Sequence, residues 1–234
     1  MNKRSEQSEL MDTETVSFQE FQNCLRHLEF INHCTLAYRP TLRWFNEMFQ
    51  KGQLSPTSSI LDVGSGGGDM LRKIAQWGSQ QRLNLELKGV DLNPLSKQAA
   101  ELATPEEMKI HFQTSDIFAL DGNNRPDYII SSLFTHHLPD ESLVRFLSWM
   151  HQHATCGWFI NDLHRHRLPY FFIKYMVKIF PFNRLVKHDA PVSVARAFTK
   201  NDWKHLLSLA EIPMENVQIK WFFPFRYCVF SKNK

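Results

Sequence analysis

Four of the nine glycines in this 234-residue chain fall within five positions, in the stretch LDVGSGGGD at residues 61–69. Glycine loses more backbone entropy on folding than any other residue, so such a run marks a sharp turn or a close approach to the backbone. An apolar run precedes the stretch and a helical pattern follows it. A strand, a glycine turn and a helix in this order are typical of a ligand site at the edge of an open α/β sheet.

Short apolar runs alternate with helical stretches from residue 58 onward. Such alternation requires right-handed crossovers and therefore a parallel sheet. We predict strands near residues 58–64, 85–91, 109–114, 127–133 and 157–161, and helices near 68–80, 94–103, 139–152 and 200–210.

The end of the chain carries two β-rich runs, VQIKWFF and FRYCVF, with only Pro224 between them. No helix fits in this gap, so we expect the two runs to pair as an antiparallel hairpin.

Two further segments read as helical additions. Residues 1–57 begin with a polar stretch, which we expect to be frayed, and continue into two or three helices in which Phe18 and Phe21 start an apolar face. Residues 164–198 exceed what the alternation requires and are the expected cap. The predicted organisation is an N-terminal helical extension over 1–57 and one α/β domain over 58–234 with the cap inserted at 164–198.

Composition excludes several functional classes. A formal net charge of +3 is too mild to indicate a nucleic-acid partner. The chain has no run of eighteen apolar residues and its start has no apolar core of signal-peptide length, so we expect a cytoplasmic protein. The cysteines form no CxxC pair, which argues against a zinc site or a disulfide framework; they are Cys24, Cys34, Cys156 and Cys228.

Acidic residues accompany the glycine turn. The run LKGVDLNP puts Asp91 at the end of the next strand, where a carboxylate can accept both hydroxyls of a ribose. A dinucleotide fingerprint that starts at Gly64 needs a glycine at position 69, but Asp69 stands there. Asp62 and Asp69 would repel a pyrophosphate and favour a cation. S-adenosylmethionine carries a sulfonium and an ammonium group and has no phosphate.

The motifs LDVGSGGGD, GVDLNP and TSDIF, in this order, resemble those of the class I S-adenosylmethionine-dependent methyltransferases over roughly residues 58–232. The resemblance implies a Rossmann-like α/β fold, with a seven-stranded, mostly parallel sheet and an antiparallel last strand. It also implies S-adenosylmethionine as cosubstrate. The residues implied to hold it are Asp62, Gly64, Gly66 and Gly68 around the methionine part, Asp91 at the ribose, Asp116 and Ile117 at the adenine, with Leu92 and Ser132 beside them.

The fourth predicted strand ends in IISSLFTHHLPDE, next to the methyl group in this family. His136 and His137 stand where a hydroxyl can lose its proton near neutral pH, and one of them is the leading candidate base. The alternative is that one histidine caps the following helix and the other packs beneath it. The segment lacks both the proline-aromatic signature of amide or adenine N-methylation and a carboxylate cluster for magnesium. We therefore expect a transfer without a metal.

The fifth predicted strand leads into FINDLHRHRLPYF. This segment and KHDAPVSVARAFT are similar to bacterial small-molecule methyltransferases related to ubiquinone and menaquinone biosynthesis enzymes, often associated with polyketide-type secondary metabolism. That resemblance implies a phenolic or polyketide-like acceptor, with His164 as a third catalytic candidate. It points to Asp162, His188 and Arg196 as substrate-binding candidates. A solvated basic face with structural ion pairs is the alternative for this segment.

Residues 165–187 carry six Lys or Arg, no acid and many aromatic residues. They fit either an apolar lid over a pocket or a peripheral contact with an anionic membrane, and we favour the lid. The predicted activity is O-methylation of a small aromatic molecule. The alternatives are methylation at carbon or nitrogen of a quinone-like or amine acceptor, an NAD(P)-dependent oxidoreductase, and a noncatalytic subunit that binds S-adenosylmethionine.

Overall fold

The computed structural model describes residues 1, 3–120 and 125–231, so the last three residues of the predicted domain lie outside the described part. A seven-stranded sheet is the centre of the fold. Its strands are β1 (Ser59–Val63), β2 (Glu86–Asp91), β3 (Ile110–Thr114), β4 (Tyr128–Ser132), β5 (Gly157–Leu163), β6 (Val217–Phe222) and β7 (Arg226–Ser231).

The spatial order of the strands is β3-β2-β1-β4-β5-β7-β6. The neighbours from β3 to β5 pair in parallel, whereas β7 pairs antiparallel with both β5 and β6. This confirms the predicted mostly parallel sheet with a reversed last strand, and it confirms the hairpin.

Helices cover both faces of the sheet and extend beyond it. The four helices predicted between the strands are found within one residue of their expected ends. None of the described helices is both long and apolar enough to cross a membrane. The helices are α1 (Leu10–Thr13), α2 (Phe18–Cys34), α3 (Arg39–Gln50), α4 (Asp69–Gln80), α5 (Pro94–Ala103), α6 (Asp140–His153), α7 (Arg167–Ile179), α8 (Arg184–Arg196) and α9 (Lys200–Leu209).

The central strands are buried on both faces, which explains why they read as continuous apolar runs. Ile129 and Ile160 point into a core shared with α6 and α9. Ile130 and Phe159 point to the other side, into a core where Trp44 of α3 stacks on Phe159 at 5.0 Å between ring centroids. The sheet is therefore a rigid layer that fixes the positions of its strand ends.

The cap predicted after β5 consists of α7 and α8. These helices share a third apolar cluster with α2, in which Ile173 and Val177 of α7 and Leu185 of α8 are buried with Cys24 of α2. The cap and the N-terminal helices thus pack on each other at one edge of the sheet.

The expectation of a frayed start is wrong. Residues 3–14, the N-terminal strap, pack along α8. Ser5 N–H donates to the Ala195 carbonyl at 3.0 Å, and the N–H groups of Leu10 and Met11 donate to the Asp189 carboxylate at 2.7 and 3.0 Å. Backbone hydrogen bonds thus tie the strap to α8, and Leu10 and Met11 also pack against the third apolar cluster.

Replacement of Asp189 by alanine is predicted to release the strap, because the N–H groups of Leu10 and Met11 lose their acceptors. Hydrogen exchange followed by mass spectrometry should show faster exchange over residues 9–13, with little change in the strands. Glu14→Gln, which removes an exposed ion pair with Arg184, is the matched control and should change exchange little. Unchanged exchange in the Asp189 variant would contradict the docking role.

Candidate active site

The carboxyl ends of β1, β2, β4 and β5 open into a cavity of about 1440 Å³. Its walls include the glycine turn, α2, the strap, the cap helices and the turn between β6 and β7. Single small-molecule sites usually measure about 300–1,000 Å³. The cavity therefore has room for two ligands side by side.

The glycine turn lies at the base of the cavity, and its glycines have different roles. Gly64 has a φ of +70°, and a Cβ atom there would lie 2.3 Å from the Phe134 ring. Gly68 has a φ of +73°, and its Cβ would lie 2.6 Å from the Phe112 ring, away from the cavity lining. Gly66 lines the cavity and donates its N–H to Asp91 Oδ2 at 2.9 Å. Gly64 and Gly68 thus accommodate protein side chains, whereas Gly64 and Gly66 border the cavity.

Three carboxylates collect around this turn. Asp91 is fixed by N–H donors on both oxygens, from Gly66 and from Asn93, each at 2.9 Å. Asp62 is buried, and its Oδ1 has no hydrogen-bond partner among the described residues. Burial, together with the charges of Asp69 and Asp91, raises the pKa of Asp62 well above its ordinary value. This end of the cavity therefore disfavours anions and gains stability from a cation.

Asp69 is held by two residues that sequence patterns did not single out as binding residues. The Tyr38 hydroxyl donates to Asp69 Oδ2 at 2.7 Å, and Asn32 Nδ2 donates to the same oxygen at 3.2 Å. Burial and the Asp69 charge raise the pKa of Tyr38, so its hydroxyl keeps its proton. Helix α2 and the residue that precedes α3 thus close the acidic end of the cavity.

The residues expected at the adenine and beside the cosubstrate also line the cavity. Asp116 is exposed and accepts the Phe118 N–H at 3.0 Å, which leaves its second oxygen available. Ile117 lines the cavity next to it, and Leu92 is 75 % exposed at the rim. Ser132 Oγ is buried without a partner among the described residues.

His136 is the centre of a buried polar network at the end of β4. Its Nδ1 lies 2.7 Å from Asp162 Oδ1, and its N–H donates to Asp162 Oδ2 at 3.0 Å. The Thr135 hydroxyl and the Leu163 N–H also donate to Asp162. Burial alone would raise the pKa of Asp162, but the charge and hydrogen bond of His136 outweigh it and lower the pKa to about 2. The contact of Asp162 with Nδ1 leaves Nε2 as the ring nitrogen of His136 that lies toward Glu9.

Asp162 itself does not line the cavity. It lies behind His136, which does line the cavity, so its contact with a ligand would pass through the imidazole ring. Asp162, which was expected from the sequence to bind the substrate, is thus positioned to orient His136.

His137 has a different environment. Its Nδ1 lies 2.8 Å from Asp12 Oδ2 and its Nε2 lies 3.8 Å from Glu9 Oε2. Burial would lower its pKa, but the hydrogen bond to Asp12 and the charges of Glu9, Asp12 and Asp162 raise it to about 9. His137 therefore carries a proton at neutral pH, which makes it a cation rather than a base.

Glu9 from the strap joins the two histidines. Its Oε1 is buried without a hydrogen-bond partner among the described residues and lies 3.7 Å from Nε2 of His136. Ligand atoms of Glu9, His136 and His137 lie within 4.8 Å of one another, a spacing that can hold a metal ion. Neither Glu9 nor Asp12 was predicted from the sequence, because they lie in a polar stretch that has no periodicity.

The other sequence candidates do not line the cavity. Arg196 donates to the carbonyls of His136 and His137 at 2.9 and 2.7 Å, so it holds the turn Thr135–His137 from outside the cavity. His164 stacks on Phe225 and accepts the Trp221 indole N–H at 3.2 Å. His188 lies beside Asp189, with 2.7 Å between His188 Nδ1 and Asp189 Oδ1.

The far side of the cavity is apolar. Leu168 and Phe172 of α7, Val186 and Val194 of α8, and Phe223 in the β6–β7 turn face it. This wall suits a lipophilic ligand placed opposite the acidic end.

Residues 60–157 match the family model described as a methyltransferase domain. The chain therefore contains a methyltransferase domain, and the sheet around it has the fold of the class I S-adenosylmethionine-dependent methyltransferases. The family resemblance seen in the sequence motifs is confirmed. A search of curated proteins found no match.

Solved structures support the same fold. The plantazolicin methyltransferase BpumL, in complex with SAH, is 17% identical over 96% of this chain and 93% of its own, with a TM-score of 0.68. The magnesium protoporphyrin IX methyltransferase ChlM from Synechocystis, with bound SAH, is 17% identical over 93% and 88%, with a TM-score of 0.56. Human N-acetylserotonin methyltransferase, in complex with SAM, is 17% identical over 92% and 56%, with a TM-score of 0.62.

Asp12→Asn is predicted to lower the pKa of His137 from about 9 toward its ordinary value of 6.5, because the hydrogen-bonded carboxylate is lost. The raised pKa stabilises the folded protein fully below pH 6.5, and this contribution disappears as the pH rises through 9. The loss of thermal stability in the variant should therefore be largest below pH 6.5 and small above pH 9.

NMR titration of the histidine ring signals measures the pKa directly, and thermal unfolding across the same pH range measures the stability. Glu14→Gln removes another acid of the strap that has no histidine contact and serves as the control. A His137 pKa that stays near 9 in the Asp12 variant would show that Asp12 does not determine its charge.

Proposed function

We propose that this protein transfers a methyl group from S-adenosylmethionine to a hydroxyl group of a small, lipophilic aromatic molecule. The observation that carries the proposal is the Asp162–His136 pair, whose imidazole lines the same cavity as the glycine turn and its acidic residues. The family match supports methyl transfer, and the site supports the choice of a hydroxyl acceptor.

The acidic end is the proposed cosubstrate site. The sulfonium and ammonium charges would offset the burial of Asp62 and its repulsion by Asp69 and Asp91, which together raise the pKa of Asp62. Each oxygen of Asp91 keeps a lone pair for a ribose hydroxyl after accepting its backbone N–H. Asp116 and Ile117 border the proposed adenine position.

The proposed reaction is a displacement at the methyl carbon. The acceptor oxygen forms a bond to this carbon while the bond from carbon to sulfur breaks, and the electron pair leaves with sulfur as a neutral thioether. The acceptor proton moves to Nε2 of His136, and Asp162 stabilises the resulting imidazolium. The protein otherwise contributes alignment and exclusion of water.

We assign proton acceptance to His136 rather than to His137. With a pKa of about 9, His137 already holds a proton at neutral pH and is proposed to stabilise negative charge on the acceptor oxygen. Glu9 lies beside Nε2 of His136 and borders the position that the acceptor hydroxyl must occupy. The hydroxyl therefore binds next to this carboxylate, or the strap moves to admit it. His164 has no part in this mechanism because it does not line the cavity.

The acceptor class is proposed from the apolar wall. Leu168, Phe172 and Val194 offer hydrocarbon surface across from the histidines, which fits a phenolic or polyketide-like ring system. A base oriented by a carboxylate is needed for a hydroxyl but not for a neutral amine, and this favours O-methylation over N-methylation.

Asp62→Asn is predicted to weaken S-adenosylmethionine binding by about tenfold or more, because a carboxylate facing a cation is replaced by a neutral amide. Calorimetric titration of the ligand-free protein measures the change. Asp127→Asn is a control at the opposite end of the sheet, where Asp127 accepts the Ser59 N–H at 2.9 Å. Equal affinity in wild type and the Asp62 variant would contradict the proposed cation site.

His136→Ala is predicted to lower kcat by about 10²–10⁴-fold, the usual contribution of a general base. Asp162→Asn should lower kcat by at least about tenfold, because it removes the charge that stabilises the imidazolium. S-adenosylmethionine affinity should change little in both variants. His164→Ala is the control and should keep kcat near the wild-type value.

These kinetics use a panel of phenols and methyl-labelled cosubstrate. Near-normal kcat in the His136 variant would remove it as the base. Treatment of the wild-type protein with a chelator tests whether Glu9, His136 and His137 bind a metal ion instead of accepting a proton. Loss of turnover that returns with added Mg²⁺ or Zn²⁺ would show that these residues coordinate a metal ion and that His136 is not the base.

A further inference from the structure

The outward face of α7 is apolar and exposed. Its residues recur at spacings of three and four, with one adjacent pair, Phe171 and Phe172, so they form one stripe along the helix. Their exposed fractions range from 48 % for Phe171 to 80 % for Ile179. We call this set the outer stripe; it consists of Leu168, Phe171, Phe172, Tyr175 and Ile179.

The outer stripe is not the core-facing side of the helix. Ile173 and Val177 occupy the opposite face and are buried against α2 and α8. A helix on a protein surface usually places polar residues opposite its buried face. This helix instead has a second apolar face, and large exposed apolar patches mark interaction sites.

Basic residues flank the outer stripe. Arg167, Lys174 and Lys178 are seven and four positions apart, which puts them on one side of the helix next to the stripe. Lys187 on α8 is exposed as well. The sequence from 163 to 188 contains no Asp or Glu, so α7 supplies no acid to balance these charges.

We propose that the outer stripe and its basic flank dock on an anionic lipid bilayer. The apolar side chains would enter the boundary between headgroups and acyl chains, and the basic side chains would contact anionic headgroups. A second copy of this chain would cover the stripe but would bring more uncompensated positive charge to it. Anionic lipid matches both the apolar and the charged part of the surface.

The surface is continuous with the cavity. Leu168 and Phe172 belong to the outer stripe and also line the cavity. Phe223 in the β6–β7 turn is 70 % exposed and lines the cavity too. A lipophilic acceptor dissolved in the bilayer would thus reach the site along an apolar path. This delivery role rests on the proposed function, whereas the docking on a bilayer is independent of it.

Co-sedimentation of the full chain with vesicles tests the docking. Wild-type protein should pellet with vesicles of equal parts phosphatidylcholine and phosphatidylglycerol, less at high salt, and little with phosphatidylcholine alone. The triple variant Phe171→Ser, Tyr175→Ser, Ile179→Ser should bind about tenfold more weakly. Lys174→Glu with Lys178→Glu should lose binding to the anionic vesicles while the stripe stays intact.

Lys200→Glu with Lys204→Glu makes the same charge change on exposed positions of α9 and should bind like the wild type. Absence of wild-type binding to anionic vesicles, or equal binding by the stripe variants, would overturn the proposal. A dimer in light scattering that the triple variant converts to a monomer, without vesicle binding, would assign the stripe to a second copy. Vesicle binding is scored without methyl transfer, so its failure and the failure of the proposed function are distinguishable.

Discussion

One buried carboxylate organises the polar network of the candidate active site. Asp162, at the end of β5, accepts hydrogen bonds from Thr135, His136 and Leu163 and thereby joins two neighbouring strand ends. A buried charge is tolerated only when it is fully paired, so this network allows the loop few alternative arrangements. Arg196 holds the same loop from the other side through its carbonyl oxygens. The position of the proposed base follows from these contacts.

Charge and apolarity divide the cavity into two halves. At one end Asp62 is buried and is repelled by Asp69 and Asp91, and burial and repulsion together raise its pKa. At the other end α7 and α8 offer hydrocarbon surface. The strap lies near both histidines and near the cap. Glu9 approaches His136 and His137, and the N–H group of the adjacent Leu10 donates to Asp189 of α8. Under the proposed function, these titratable groups lie where the cosubstrate and the acceptor meet.

Local patterns in the sequence predicted the sheet, its strand ends and the acidic glycine turn, because burial on both faces and tight turns leave local signatures. They did not predict that Glu9 reaches His136, because no short-range pattern links residues so far apart in the chain. They also misplaced His164. His164 directly follows β5, stacks on Phe225 and does not line the cavity. Contacts between segments that are distant in the sequence can be identified only from the three-dimensional structure.

Proton release on binding of S-adenosylmethionine tests the central claim most directly. Calorimetric titrations of the wild-type protein across the acidic to neutral pH range, in two buffers of different ionisation enthalpy at each pH, measure it. The account predicts binding with release of protons, because the cation lowers the raised pKa of Asp62. Binding of NADH in place of S-adenosylmethionine, or binding of the latter with the same heat in both buffers, would contradict it.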